Sequence, residues 1–156
     1  MSRVAIIMGS KSDMPTIQYC LDTLDEFGIK YVVKVLSAHR TPKETAKFTK
    51  GAQKNGIKII IAAAGMAAHL AGAVAANTTL PVIGIPIESK SLAGIDALFS
   101  TVQMPGGIPV ACMAIGTAGA KNAAVLAVQI LSLSDRKLQN RLSAYKKKLA
   151  RKVLKP

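Results

Sequence analysis

Two short stretches of this sequence hold the residue types that can do chemistry within a single turn. Ser37-Ala38-His39-Arg40-Thr41-Pro42 brings together a histidine, an arginine and two hydroxyls. A histidine can carry a proton near neutral pH, an arginine can hold phosphate through paired hydrogen bonds, and Ser37 and Thr41 add hydroxyl donors. The second stretch is Met8-Gly9-Ser10-Lys11-Ser12-Asp13-Met14-Pro15. Gly9 lets the backbone approach a ligand closely, and free N–H groups between Ser10 and Asp13 at a helix start favour an anion. The Asp13 carboxylate would repel a phosphate and suits a neutral diol, such as the hydroxyls of a ribose. A plainer reading stands beside this one: Ser12 and Asp13 only cap the helix that follows. The spacing matches neither the G-x-x-x-x-G-K-[ST] loop nor G-x-G-x-x-G.

Each stretch lies between an apolar run and a helical pattern. Residues 4–8 read as a strand buried on both faces and residues 31–36 as a second strand. The helix after the first runs to about residue 27, with Ile17, Cys20, Leu21 and Leu24 on one face and Gly28 as its stop; the second covers residues 42–55. Further strands are expected over 58–63, 81–84 and 110–115. Further helices are expected from Gly65 to near Asn77, over 88–101 and over 120–133. Residues 102–109, rich in glycine and proline, read as an ordered functional loop. Asp135 is placed to cap a last basic helix with an apolar stripe of Leu138, Leu142, Tyr145 and Leu149.

Strands alternating with helices predict a three-layer α/β/α domain on a parallel sheet of about five strands, with an extra C-terminal helix. Residues 1–134 form the expected catalytic domain, and residues 135–156 a basic helix packed on the same or a neighbouring subunit. In such a sheet, turns at the carboxyl ends of strands line the ligand crevice. The helices near 67–76 and 120–133 are apolar nearly all round, which predicts subunit contacts.

The chain has 156 residues, half of them hydrophobic, so it can bury a core and is not a disordered segment. Its net charge of +13 suits an acidic substrate. Much of that charge is in the tail: Arg136, Lys137, Arg141, Lys146, Lys147, Lys148, Arg151, Lys152 and Lys155, with no acid among them. That pattern reads as a solvated helix face rather than a nucleic-acid site, and aromatic platforms for stacking on bases are scarce. The apolar window 59–76 is broken by Gly65, His69 and Gly72 and reads as a buried strand and helix, not a membrane span. No signal peptide is evident, and two distant cysteines, Cys20 and Cys112, fit the reducing cytoplasm. No metal-ligand spacing occurs. His69, in its apolar run, reads on its own as a core histidine. Residues 116–119 could close over a ligand, but close helix–strand packing is the simpler reading.

Four segments together resemble the class I N5-carboxyaminoimidazole ribonucleotide mutases of de novo purine synthesis. They are Met8-Gly9-Ser10-Lys11-Ser12-Asp13, Ser37-Ala38-His39-Arg40-Thr41-Pro42, Gly65-Met66-Ala67-Ala68-His69-Leu70 and residues 102–110, and the run over 114–131 adds a fifth. Ala71 and Ala73 depart from the family's usual proline and methionine, and Cys112 from its frequent threonine. The resemblance implies a flavodoxin-like domain, a cytoplasmic homo-octamer with sites at subunit contacts, and an aminoimidazole ribotide carbamate as substrate, with no metal, flavin or nucleotide cofactor. It implies His39 as the acid/base residue. It implies Ser10, Asp13 and Arg40 as the principal nucleotide contacts, with Ser12, Ser37 and the backbone at Ala64 and Gly65 in support. The turn holding His69 and Leu70 would lie beside the imidazole ring. Two alternatives remain at this point: a carboxylase using free CO2, as in class II relatives, and a non-catalytic nucleotide-binding module.

Overall fold

The first strand, β1 (Val4–Met8), is buried along its whole length and takes the centre of the N-terminal half. In the computed structural model, which describes residues 3–154, it pairs in parallel with β2 (Tyr31–Val35) on one side and β3 (Ile59–Gly65) on the other. The sheet continues through β4 (Val82–Ile87) to β5 (Ala111–Cys112), in the order β2-β1-β3-β4-β5. The helices are α1 (Met14–Glu26), α2 (Pro42–Ala52), α3 (Leu70–Ala75), α4 (Ile95–Val102), α5 (Gly116–Ser132) and α6 (Arg136–Leu154). This is the flavodoxin-like strand order.

Alternation along the strands explains why the runs are apolar throughout. Val4, Ile6 and Met8 join Ile59, Ile61, Ile83 and Ile85 in a core with Ile17 and Leu24 of α1 and Ala123 and Val128 of α5. Ala5, Ile7, Ile60 and Ala62 point the other way, against Ala52, Leu70 and Val74. Each isoleucine so buried contributes about 1.5–3 kcal/mol relative to exposure. Met8 is opposite both Val35 and Ala63, and Gly65 is opposite Ile87. The turns after four neighbouring strands therefore open along one edge of the sheet.

The elements differ from expectation mainly in the C-terminal half. β4 runs on to Ile87 through Pro86. β5 pairs only with Ile83 and Gly84, so Pro86 lies where β4 has lost that neighbour and a missing N–H is tolerated. Residues 88–94 are then a loop rather than helix, turned by positive φ at Ala93 (50°) and Gly94 (85°). β5 is only two residues long, and α5 begins at Gly116, earlier than expected. His69 is the residue before α3, which spans only six residues.

α5 lies against α1, β4 and α6 of the same chain, so its apolar circumference by itself calls for no second subunit. α6 is capped as expected: Asp135 Oδ1 accepts from the Leu138 N–H (3.3 Å), and Oδ2 pairs with Arg3 (3.1 Å). Leu138, Leu142 and Tyr145 pack on the core, with Tyr145 against Phe27 at 5.1 Å between ring centroids. Leu149, the fourth member of the stripe, is exposed. Lys155 lies outside the described residues. Among those residues, no helix is long and apolar enough to cross a membrane.

Candidate active site

The first turn is built by reciprocal hydrogen bonds. Ser10 is extended (φ −149°), and its Oγ accepts from the Ser12 N–H (3.3 Å) and the Ser12 hydroxyl (2.8 Å). Asp13 Oδ2 accepts from the Ser10 N–H at 3.1 Å, closing a capping box around a short 3-10 turn. Ser10 is thus the cap, whereas the Asp13 side chain makes no cap bond to α1. Burial pushes the Asp13 carboxyl above its ordinary range, opposed by the Ser10 N–H, the Ser12 hydroxyl and the Arg40 charge. A Cβ on Gly9 would stand 4.0 Å from Asp13 Oδ2, so glycine leaves the floor beside the carboxylate bare.

The second turn is held from within. The Ser37 N–H donates to Thr41 Oγ1 (2.8 Å), and the Arg40 N–H donates to Ser37 Oγ (3.2 Å). Arg40 Nη2 reaches the Gly9 carbonyl at 2.7 Å and ties the edge strand's turn to the central one. Its guanidinium remains exposed, with donors to spare for an anion.

His39 extends from this turn to the one after β3, two strands along the sheet. Its Nε2 is 2.8 Å from His69 Nδ1, and the rings meet edge to face at 85°. His69 is therefore an exposed residue of the crevice and not a core histidine. Leu70 is buried and also lines the crevice, as do Ala64 and Gly65. A Cβ on Gly65 would stand 3.2 Å from the Ile87 carbonyl oxygen, a tight contact that a larger residue would make only if β4 shifted slightly. The next residue, Met66, adopts φ 54°, a strained conformation of the kind that collects at functional sites.

Together these turns enclose a cleft of about 450 Å³, within the range of small-molecule sites. Every site residue expected from the sequence lines it: Ser10, Ser12, Asp13, Ser37, His39, Arg40, Ala64, Gly65, His69 and Leu70. Ile87, Glu88 and Ser89 line it as well. They escaped notice because the fourth strand was expected to end at Gly84; the continuing apolar residues Ile85 and Ile87 were the available signal. Ala67 lines the cleft too, whereas its neighbour Ala68 is buried. The loop over 102–109 joins the end of α4 to the start of β5, away from the crevice, and Met104 leans on Gly72. Gly119 serves close packing, since a Cβ there would collide with the Ala114 carbonyl oxygen. A groove of about 550 Å³ between the end of α1 and α6 has its cations engaged: Arg141 donates to the Phe27 carbonyl and Lys148 pairs with Glu26.

A cleft at the strand ends of a five-stranded parallel sheet, with a guanidinium, a buried carboxylate and a histidine pair, defines a flavodoxin-like α/β protein with a site for a small anionic ligand. The chain belongs to the AIR carboxylase family, whose model matches residues 3–152. It is 52% identical over 153 residues to the N5-carboxyaminoimidazole ribonucleotide mutase of Haemophilus influenzae, covering 98% of this chain and 93% of that protein. The mutase of Escherichia coli K12 is 50% identical over 153 residues, covering 98% and 90%. Among solved structures, Treponema denticola PurE superposes with a TM-score of 0.89 at 33% identity, covering 99% of this chain and 95% of that one.

Proposed function

We propose that this protein is an isomerase that converts N5-carboxyaminoimidazole ribonucleotide to 4-carboxy-5-aminoimidazole ribonucleotide. The observation that carries this reading is identity of about half the residues, over nearly the full length, to mutases of that name. The crevice supplies chemistry that fits. Arg40 and Ser37 hold the phosphate. Asp13, with Ser10 and Ser12, receives the ribose. The backbone at Ala64 and Gly65, with His69 and Leu70, lies along the imidazole.

The reaction moves a carboxylate from the exocyclic nitrogen to ring C4. Breaking the N–C bond releases CO2 and leaves a nitrogen that needs a proton. Forming the bond from C4 to the same CO2 leaves a ring proton to be removed. His39 gives the first proton and takes the second, so no net proton is consumed. His69, bonded to His39, fixes the ring that does this. The remaining requirement is to keep CO2 beside C4 while water is excluded. The chemistry calls for no metal or redox cofactor, since nothing is oxidised and no bicarbonate is activated.

Catalysis is assigned to residues 1–134, with 135–156 as a supporting helix, in a cytoplasmic homo-octamer. The exposed face of Leu92, Ile95, Phe99 and Val102 on and before α4 supports association. Light scattering at micromolar concentration tests it: a monomer refutes the assembly.

The reaction is tested with substrate labelled at the carbamate carbon, in excess unlabelled CO2 and bicarbonate. Retention of label in the product above a no-enzyme control is expected. Full exchange with solution would instead mean a carboxylase using free CO2.

A further inference from the structure

The loop after β4 contains a group that the residues assigned so far leave out. Ser89 Oγ is shielded from solvent and has no hydrogen-bond partner, the one such buried side-chain atom among the described residues. A buried hydroxyl without a partner costs free energy, and native structures seldom keep one without a reason. Ser89 itself is only partly buried and lines the crevice, with Ile87 and Glu88.

We infer that Ser89 is a positioning residue for the migrating carboxylate, its hydroxyl donating to a carboxylate oxygen at the ring end of the crevice. This rests on the mutase reading. The order of the strands gives the direction. Arg40 and Ser37 follow β2, Ser10 and Asp13 follow β1, His69 follows β3 and Ser89 follows β4. A ribotide with its phosphate at Arg40 and its ribose at Asp13 therefore points its ring toward β3 and β4. There Ala67, Leu70 and Ile87 form an apolar lining beside the polar side chains of His69, Glu88 and Ser89. A carboxylate in such a place needs a donor. Rotation about the Ser89 Cα–Cβ bond moves the hydroxyl between staggered positions with no movement of the backbone.

The segment is held in place for this role. Gly94, at φ 85°, lets the chain fold back so that its own missing Cβ would stand 3.2 Å from Glu88 Cα and 2.7 Å from Ile115 Cγ2. Ala93 accepts a positive φ beside it. Backbone strain of this kind persists only where the surroundings enforce it.

The test compares wild type, Ser89→Ala and Ser89→Thr on the carbamate-labelled substrate in excess unlabelled CO2. Ser89→Ala is expected to lower kcat/KM by about 10- to 100-fold, the loss for one hydrogen bond to a charged group. It should also lose more label to solution than wild type and unfold at the same temperature or higher, because an unpartnered hydroxyl has been removed. Ser89→Thr, which keeps the hydroxyl, should recover most of both activities. Wild-type kcat/KM and label retention in Ser89→Ala would overturn the assignment. So would a lowered unfolding temperature, which would make the hydroxyl a structural partner. If wild type itself failed to turn over the carbamate, the mutase reading would fall, and this inference with it.

Discussion

His39, after β2, and His69, after β3, face one another although β1 lies between those strands in the sheet, Nε2 of the first 2.8 Å from Nδ1 of the second. When both rings are neutral, one facing nitrogen donates and the other accepts, so the tautomer of each is tied to that of its partner. The proposed acid/base residue and its ring partner thus come from different turns, β2–α2 and β3–α3.

His39→Asn is expected to fold and to bind the ribotide, because the side chain is exposed and asparagine keeps its polarity. Turnover should fall by about 10²–10⁴-fold, the usual contribution of a positioned acid/base. Calorimetric binding beside a turnover assay separates the two effects. Near-normal turnover would remove His39 from the mechanism.

Arg40→Ala should weaken ribotide binding by about 10- to 100-fold, as expected for a lost charge-assisted contact. Wild type should bind the dephosphorylated nucleoside about as poorly as the variant binds the ribotide. Equal affinity of wild type for both ligands would show that Arg40 does not receive the phosphate.

Asp13 makes stability depend on pH in a direction that can be measured. Burial raises its carboxyl above the ordinary value of 3.8. The folded chain then keeps a proton that the unfolded chain has already lost, so stability contributed by this group falls as pH rises from about 4 through the raised pKa. Asp13→Asn should lack that decline in urea midpoints while binding the ribotide less well. A parallel pH dependence in wild type and variant would contradict the burial argument.

Gly119→Ala is a packing test remote from the proposed chemistry. The new Cβ would meet the backbone carbonyl of Ala114, which cannot swing aside as a side chain can. A loss of about 1–3 kcal/mol is expected, with an unchanged denaturant slope. A wild-type unfolding midpoint would mean that the helix can shift without cost.

The N-terminal half was legible because its signals agree. β1 and β3 are apolar on both faces, and the turns after β1 and β2 mix hydroxyls with charge. Where signals conflict, local reading failed. Pro86 argues against a strand, yet β4 passes through it because β5 stops earlier. Glycines at 116 and 119 argue against a helix start, yet Gly119 is what allows α5 to approach Ala114. Alanines around His69 suggested a core, although the chain turns at Met66 and brings the histidine to the crevice. Contact between His39 and His69 spans thirty residues and belongs to the strand order, which periodicity along the chain does not encode.

The seam between α1 and α5 also bears on how the protein is made. α1 leaves the ribosome early, carrying Ile17, Cys20, Leu21 and Leu24, whose cover includes Ala120, Ala123 and Ala127 of α5. That cover is synthesised on the order of a hundred residues later, a delay of roughly 5–20 s at ordinary translation rates. During that interval the nascent chain displays a sticky stripe with its native partner not yet made. Chaperone demand should therefore track elongation speed through α5 more closely than the stability of the finished protein.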